Sequence, residues 1–466
     1  MRFFYILILF SIFHSSALAN AHFFQTSVQL LEKNLAHSQN LIVKIKDDRQ
    51  LSFGHPYIFV NGELFLPNLP FRFRVMSLLD SHQQKSKLQN YLFFHFDKPV
   101  TVKQAFIVQS VLEKIPEVEF FYFQPIYSNA GGLQNQIGKR GPTPFAAPAS
   151  TPDFIAKQFY LEPLPYGIEA QASWALPGGR GENVKIIDVE IGWQVEHEDF
   201  NTPFFSFLQN EVSSHGTAVW GVVAARDDGQ GMTGIAHNAQ MGVSSVLWEG
   251  SFKGYIPNLV AAIDRATQEL EAGDVMIIEQ QAPGPQNSNH APVEYWPAVF
   301  DAIQLATAKG IHVVAAAANG HSDLDHKDYK GAFDIKVRDS GAILVGAVGS
   351  PLKGRYFERM SYSNYGKRVT SFAYGQDVAT AGYGDLFDQG PTRIYTDGFA
   401  GTSSATPIVA GAVALASSLA KQRGKSLRPE ELREILATTG PRQDGDRKQN
   451  VGRFPNLPEI IDTLNL

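Results

Sequence analysis

The stretch Gly401-Thr402-Ser403-Ser404-Ala405-Thr406-Pro407 stands directly before the apolar run 408–416. The small residues predict a tight turn, and the apolar run predicts a buried helix that begins near Ser403. A serine hydroxyl is a weak nucleophile by itself. It becomes reactive when a histidine accepts its proton and a carboxylate orients that histidine, so the rest of the chain should supply both partners.

Candidates for both partners lie upstream of Ser403. His215 stands in Ser214-His215-Gly216-Thr217-Ala218-Val219-Trp220-Gly221, where a predicted helix begins. Asp188 follows the predicted strand 184–187, and Asn319 follows the predicted strand 311–315. A single Asp, Asn or Ser at the end of an element is usually a cap, so only their joint occurrence indicates a catalytic site.

From about residue 165, short apolar strands alternate with helices. The predicted strands are 184–187, 241–246, 275–278, 311–315 and 342–346, and the predicted helices are 216–225, 259–272 and 299–309. This alternation is typical of an α/β fold, here a doubly wound, mostly parallel sheet with helices on both faces. Ligands bind at the carboxyl ends of such strands, and Asp188 and Asn319 lie just past two of those ends.

The order Asp188, His215, Ser403 resembles that of the subtilisin-like serine peptidases. The serine block resembles the family pattern G-T-S-x-A-x-P, and the histidine block resembles H-G-T-x-V-x-G. Asp188-Val189-Glu190 is a looser match to the family's Asp-Thr-Gly, and Ala318 replaces the glycine that usually precedes the asparagine. The resemblance covers about residues 160–465.

The resemblance implies a role for each candidate residue. Ser403 would attack a peptide carbonyl, His215 would carry the proton to the leaving amine, and Asp188 would orient the imidazole. Asn319 and the backbone N–H of Ser403 would bind the oxyanion. We therefore expect a secreted serine endopeptidase that hydrolyses peptide or protein substrates through an acyl-enzyme intermediate.

The predicted substrate-binding edge departs from the family pattern. Glu279, Gln280 and Gln281 stand where the family has Ser-Leu-Gly, and such an edge pairs with a substrate backbone as an added strand. We expect these three residues to bind substrate. Glu279 with Glu190 would form an acidic subsite for basic or amino-terminal groups; alternatively, Glu279 is a solvated or paired carboxylate.

The unusual residues around Asp188 and Glu279 leave other functions open. One alternative is a catalytically silent subtilisin fold that serves as a binding protein. Another is a peptidase of narrow specificity, either a processing enzyme for one partner or an exo-acting enzyme.

The N-terminus has the features of an export signal. Arg2 precedes the apolar run 3–13 and Ala17-Leu18-Ala19 provides a cleavage site, so residues 1–21 are predicted to be a signal peptide. A membrane anchor would need about 20 apolar residues, more than this run has. We expect an exported protein, secreted or periplasmic, with no membrane association after signal removal.

Composition divides the chain after the signal. Residues 22–130 are rich in Phe, Leu and Lys, and their β-α-β pattern predicts a small α+β prodomain. The resemblance implies that this prodomain is an intramolecular inhibitor. The Gly- and Pro-rich residues 131–159 predict a linker, with Lys139-Arg140 as one candidate cleavage site, and 160–466 form the predicted catalytic domain.

Net charge and cysteine content exclude several classes of partner and active site. The 466 residues carry a net charge of −6 without a basic stripe, which argues against a nucleic-acid partner. The absence of cysteine excludes a thiol nucleophile and cysteine-ligated metals. We assign no metal ligands and expect no required cofactor. The oxygen-rich loop 321–328 leaves a structural calcium ion open, but its spacing matches no known calcium loop, and a solvated loop is the alternative.

Overall fold

The structure, a computed structural model, describes residues 22–46, 58–60, 63–65, 73–77, 87–130, 150–208, 212–249, 255–286 and 289–466. The predicted signal peptide, residues 131–149 of the predicted linker and Lys139-Arg140 lie outside this part of the chain. The chain divides into two compact units. One comprises the chain up to Tyr127 with segments 283–288 and 296–301, and the other comprises 128–282, 289–295 and 302–466.

The first unit is built on an antiparallel sheet. Residues 22–32 form helix α1, and Val102–Leu112 form α2. The strands are β1 (Ala36–Ile45), β2 (Ile58–Val60), β3 (Glu63–Phe65), β4 (Phe73–Ser77), β5 (Tyr91–Phe96) and β6 (Val118–Pro125). They lie in the order β2-β3-β4-β5-β1-β6, so the predicted β-α-β pattern is present as β5, α2 and β6.

Aromatic side chains fill the core of this unit. The ring of Phe24 lies 5.1 Å from that of Phe121 and 6.2 Å from that of Phe123. Tyr122 stacks on Trp296 at 5.1 Å. Thr101 forms a capping box that fixes the start of α2. The high Phe content upstream of residue 130 is therefore explained by packing.

The second unit contains a seven-stranded parallel sheet. Its order is β18-β17-β16-β13-β8-β10-β9, and every neighbouring pair is parallel. The strands from residue 128 onward are β7 (Ser128–Asn129), β8 (Lys185–Glu190), β9 (Phe205–Phe207), β10 (Gln240–Ser245), β11 (Leu247–Glu249), β12 (Tyr255–Pro257), β13 (Val275–Ile278), β14 (Gln280–Pro283), β15 (His290–Pro292), β16 (His312–Ala316), β17 (Ile343–Val348), β18 (Ser371–Tyr374), β19 (Val378–Ala381), β20 (Phe387–Asp388) and β21 (Ile394–Phe399).

Helices surround this sheet and confirm the predicted doubly wound α/β fold. The helices from residue 128 onward are α3 (Ala170–Trp174), α4 (Ser214–Ala224), α5 (Leu259–Glu269), α6 (Pro297–Ala308), α7 (Thr402–Gln422), α8 (Pro429–Thr438) and α9 (Leu457–Thr463). Helix α7 packs against β16, β17 and β18, and α5 packs against β8 and β10. Among the described residues, α7 is the one helix long and apolar enough to cross a membrane, and the apolar stretch is wholly buried in the fold.

The end of the predicted linker is attached to the second unit. Phe154 N–H donates to the Gly231 carbonyl at 2.8 Å, and Gly231 N–H donates to the Pro152 carbonyl at 2.8 Å. Residues 155–157 and 159–161 form single 3-10 turns. These paired backbone groups give residues 150–159 a fixed course along the second unit.

Candidate active site

Three adjacent strands deliver polar residues to one edge of the parallel sheet. Strands β16, β13 and β8 are neighbours in that order. Strand β8 ends at Glu190, Glu279 follows the end of β13, and Asn319 lies three residues beyond the end of β16. The carboxyl ends of parallel strands meet at the same edge, where doubly wound folds place their ligands.

His215 is held by Glu190. The imidazole Nδ1 lies 2.8 Å from Glu190 Oε2, and the two side chains are 3% and 0% exposed. His215 lies in the first turn of α4, whose N-cap Ser213 accepts a hydrogen bond from the His215 backbone N–H. The ring of Phe399 meets the imidazole edge-on at 5.6 Å. The imidazole is therefore fixed through one nitrogen, and Nε2 is left for chemistry.

The predicted contact between Asp188 and His215 is not formed. Asp188 Oδ2 accepts a 2.7 Å hydrogen bond from the indole Nε1 of Trp193. Its other oxygen is buried with no hydrogen-bond partner among the described residues. Burial raises the pKa of Asp188 well above its ordinary 3.8, and the charge of Glu190 raises it further. Asp188 therefore has the environment of a neutral carboxylic acid.

The strand boundary explains this correction. The sequence predicts a strand that ends at residue 187, but β8 continues to Glu190. Residues two apart on a strand share a face, so the alternation pattern places Asp188 and Glu190 on the same side of the sheet. The pattern does not distinguish which of the two carboxylates contacts His215. The sequence feature that could have identified Glu190 as the partner of His215 is the motif Glu190-Ile191-Gly192. It matches the family's Asp-Thr-Gly with Glu in the place of Asp.

Ser403 lies at the second residue of α7, as the sequence predicts. Gly401 precedes the helix with φ 103°, a conformation that suits glycine. Ser403 Oγ and His215 Nε2 are both buried, and neither has a hydrogen-bond partner among the described residues. Hydrogen bonds between catalytic groups are commonly long in the resting enzyme and shorten as reaction proceeds.

Asn319 binds the carbonyl of Ala130. Its Nδ2 donates to that oxygen at 2.6 Å, and the backbone N–H of Ser403 donates to the same oxygen at 3.2 Å. Asn319 Oδ1 accepts hydrogen bonds from the backbone N–H and hydroxyl of Thr402, both at 3.0 Å, which turns Nδ2 toward the carbonyl. Two donors thus converge on one peptide oxygen, the arrangement of an oxyanion hole.

The residues before Ala130 pair with the predicted substrate edge. Gln280 and Gln281 lie opposite Asn129 and Ser128 in the antiparallel pair of β14 and β7. Ala130 N–H donates to the Glu279 carbonyl at 2.9 Å. Segment 128–130 is therefore bound as an added strand, which the sequence did not reveal.

Glu279 is neither solvated nor paired, contrary to our second interpretation. It is fully buried, and neither carboxyl oxygen has a normal hydrogen bond within the described residues. Burial raises its pKa well above the ordinary 4.5, and the charges of Asp188 and Glu190 raise it further. The Ser403 hydroxyl lies near enough to lower that pKa in part. Burial beside the Ser403 hydroxyl and two other carboxyl groups therefore favours the protonated form of Glu279.

Hydrogen bonds from the side chain of Asn364 stabilise the loop that contains Asn319. Its Oδ1 accepts from the N–H groups of Gly320 (3.1 Å) and Ser322 (2.8 Å), and its Nδ2 donates to the carbonyls of Ala317 (2.7 Å) and His290 (2.9 Å). Ala318 adopts φ 72° in this loop, at the position where the family usually has glycine. Four hydrogen bonds from one buried amide stabilise a conformation that alanine rarely adopts.

The acidic loop 321–328 contains local contacts. His326 Nδ1 lies 3.3 Å from Asp328 Oδ2, and both side chains are more than a third exposed. No group of three or more His, Asp or Glu side chains is arranged to hold a metal ion in the described ranges. Loop 321–328 therefore contributes no recognised metal site to the described part of the chain.

Residues 190–453, more than half of the chain, match the Subtilase family (Peptidase_S8). The chain is 31% identical to subtilisin DY of Bacillus licheniformis over 288 residues, covering 59% of this chain and 91% of that protein. It is 26% identical to an intracellular serine protease of Paenibacillus polymyxa over 339 residues, covering 66% and 92%. The chain therefore belongs to the subtilase family and is a serine peptidase.

Solved structures share the fold. Fervidolysin from Fervidobacterium pennivorans, described as a keratinolytic enzyme related to subtilisin, gives a TM-score of 0.60 at 18% identity, covering 92% of this chain and 61% of that one. A protease from Pseudoalteromonas arctica gives 0.51 at 21% identity, covering 67% and 99%. The chain thus spans less than two thirds of fervidolysin, and both likenesses concern the fold alone.

Proposed function

We propose that this protein is an exported serine endopeptidase in which Glu190, His215 and Ser403 form the catalytic triad. The observation that carries the proposal is the Ala130 carbonyl, which accepts hydrogen bonds from Asn319 Nδ2 and the Ser403 N–H. A peptide carbonyl is thus held where an oxyanion would be stabilised, next to the serine that would attack it.

Each residue of the site has its own role in the proposed reaction. Ser403 Oγ attacks the carbonyl carbon while His215 Nε2 takes the hydroxyl proton, and Glu190 keeps the imidazole oriented through Nδ1. Asn319 and the Ser403 N–H stabilise the oxyanion. As the carbon–nitrogen bond breaks, His215 gives its proton to the leaving amine. Water then attacks the acyl-enzyme by the same route and regenerates Ser403.

Segment 128–130 supports an endopeptidase whose first substrate is its own chain. The bond that follows the bound carbonyl joins Ala130 to Gly131, inside the polypeptide. Because this bond lies inside the polypeptide, its hydrolysis would be an endopeptidase reaction. We propose cleavage between Ala130 and Gly131, which would leave residues 22–130 as the inhibitory prodomain and replaces Lys139-Arg140 as our candidate site.

The export proposal depends on the sequence of residues 1–21. Arg2, the apolar run and the small residues at 17–21 have the pattern of a cleaved signal. We propose that signal removal precedes cleavage at Ala130.

A fluorophosphonate probe tests the function, because only an activated serine reacts with it. We expect the purified mature protein to be labelled and the Ser403→Ala variant to remain unlabelled. A mature, folded protein that takes up no label would favour the alternative of a catalytically silent binding protein.

A further inference from the structure

Gln280 joins the bound segment to the triad. It is 1% exposed and lies on β14. Its Nε2 donates to the side-chain Oδ1 of Asn129 at 2.7 Å and to Glu190 Oε1 at 3.0 Å. One amide nitrogen therefore contacts both the carboxylate that holds His215 and the side chain of the second residue before the proposed cleavage point.

The Glu190 carboxylate fixes the orientation of this amide. Besides His215, it accepts a 2.6 Å hydrogen bond from the Ile191 backbone N–H. A carboxylate with three such donors acts only as an acceptor, so the nitrogen of the Gln280 amide must face it. The second N–H of that nitrogen is directed to the substrate and requires an acceptor there. Without one, a buried donor would be left unpaired, which is costly.

In this chain the asparagine side chain of Asn129 meets this requirement. Its side-chain Oδ1 is a neutral acceptor, and it lies 2.7 Å from Gln280 Nε2. Aspartate has the same shape and would also accept, but it would add a fourth carboxyl group to Asp188, Glu190 and Glu279, all of which are 0% exposed. Alanine and leucine provide no acceptor.

Resting on the proposed function, we infer that Gln280 makes the enzyme selective for asparagine at the second position before the cleaved bond. Gln280 is thus a specificity-determining residue for the substrate side chain and a positioning residue for Glu190.

The test compares peptides Ser-X-Ala-Gly in a longer sequence, with X as Asn, Asp, Ala or Leu, and measures kcat/KM with mature enzyme. We expect Asn to exceed Ala and Leu by about 10-fold, the worth of one hydrogen bond to a buried donor, and to exceed Asp by at least as much. Equal rates for Asn and Ala would overturn the inference.

Two variants test whether Gln280 is the source of the preference for asparagine. Gln280→Met keeps the side-chain length but loses the donor, so the Asn/Ala ratio should fall to about 1. Gln281→Met is the matched control, because Gln281 Nε2 contacts the Asn129 backbone carbonyl (3.0 Å) and Ser128 Oγ (3.4 Å) and leaves the Asn129 side chain untouched. It should lower kcat/KM for all peptides and keep the ratio. A ratio lost in Gln281→Met and kept in Gln280→Met would contradict the assignment.

Failure of the proposed function has a different signature. In that case no peptide is hydrolysed and no fluorophosphonate label is taken up. The wild-type peptide series decides the inference even where Gln280→Met does not fold, since it needs no variant.

Discussion

The carbonyl of Ala130 lies 2.6 Å from Asn319 Nδ2 and also accepts a hydrogen bond from the Ser403 N–H, as a carbonyl in an oxyanion hole would. Ser128 and Asn129 pair with Gln281 and Gln280, which positions the Ala130 carbonyl next to Ser403. These contacts support the proposal that the first substrate of the enzyme is its own chain.

Self-cleavage should occur after Ala130. N-terminal sequencing and intact mass of the mature protein are expected to give Gly131 as the first residue, with Ser403→Ala retaining the full precursor. Lys139→Ala/Arg140→Ala is the control and should be processed at the same bond. A mature chain that starts at Gly141, or normal processing of Ser403→Ala, would show that a different cut or a different protease is responsible.

Asn319 should matter for turnover more than for substrate binding. Asn319→Leu removes one of the two donors to the carbonyl, and we expect kcat to fall about 100- to 1000-fold with a small change in KM. Steady-state kinetics on one good peptide would measure this, with circular dichroism as a check on folding. A change confined to KM would mean that Asn319 contributes only to binding.

Glu279 should make stability depend on pH. Its folded pKa lies above the unfolded value of about 4.5, so the folded state holds a proton that the unfolded state loses. Stability from this group is complete below that value and declines as the pH rises toward the folded pKa. Glu279→Gln removes the effect, so the variant should gain in Tm over the parent at pH 8 and match it near pH 4.

Calorimetry in a Ser403→Ala background, which prevents self-digestion, would measure the difference. Each kcal/mol regained should raise Tm by no more than the roughly 2–4 °C that is typical of domains of about 150–250 residues, because the unit that contains Glu279 is larger. A Glu279→Gln variant that loses the same stability at both pH values would show that the carboxyl is ionised in the folded protein.

The parallel sheet and the positions of His215, Ser403 and Asn319 could be predicted because each depends on local sequence. Strand β13 covers the predicted residues 275–278, and α4 begins two residues before its predicted start. The sequence points to Asp188 as the partner of His215 because two acids on one strand face satisfy the same pattern, and only the contacts in the structure single out Glu190. The contacts of Ala130 escaped prediction since they join residues 189 and 273 positions apart, which no local pattern encodes.

The most direct test of the catalytic triad compares Glu190→Gln with Asp188→Asn, two changes that each convert an acid to an amide of the same shape. Because Glu190, and not Asp188, hydrogen-bonds to the His215 imidazole, we predict that Glu190→Gln lowers kcat/KM about 10,000-fold, as loss of the triad carboxylate does elsewhere, while Asp188→Asn lowers it less than about 10-fold. A large loss in Asp188→Asn together with near-normal activity in Glu190→Gln would contradict the assignment of the triad.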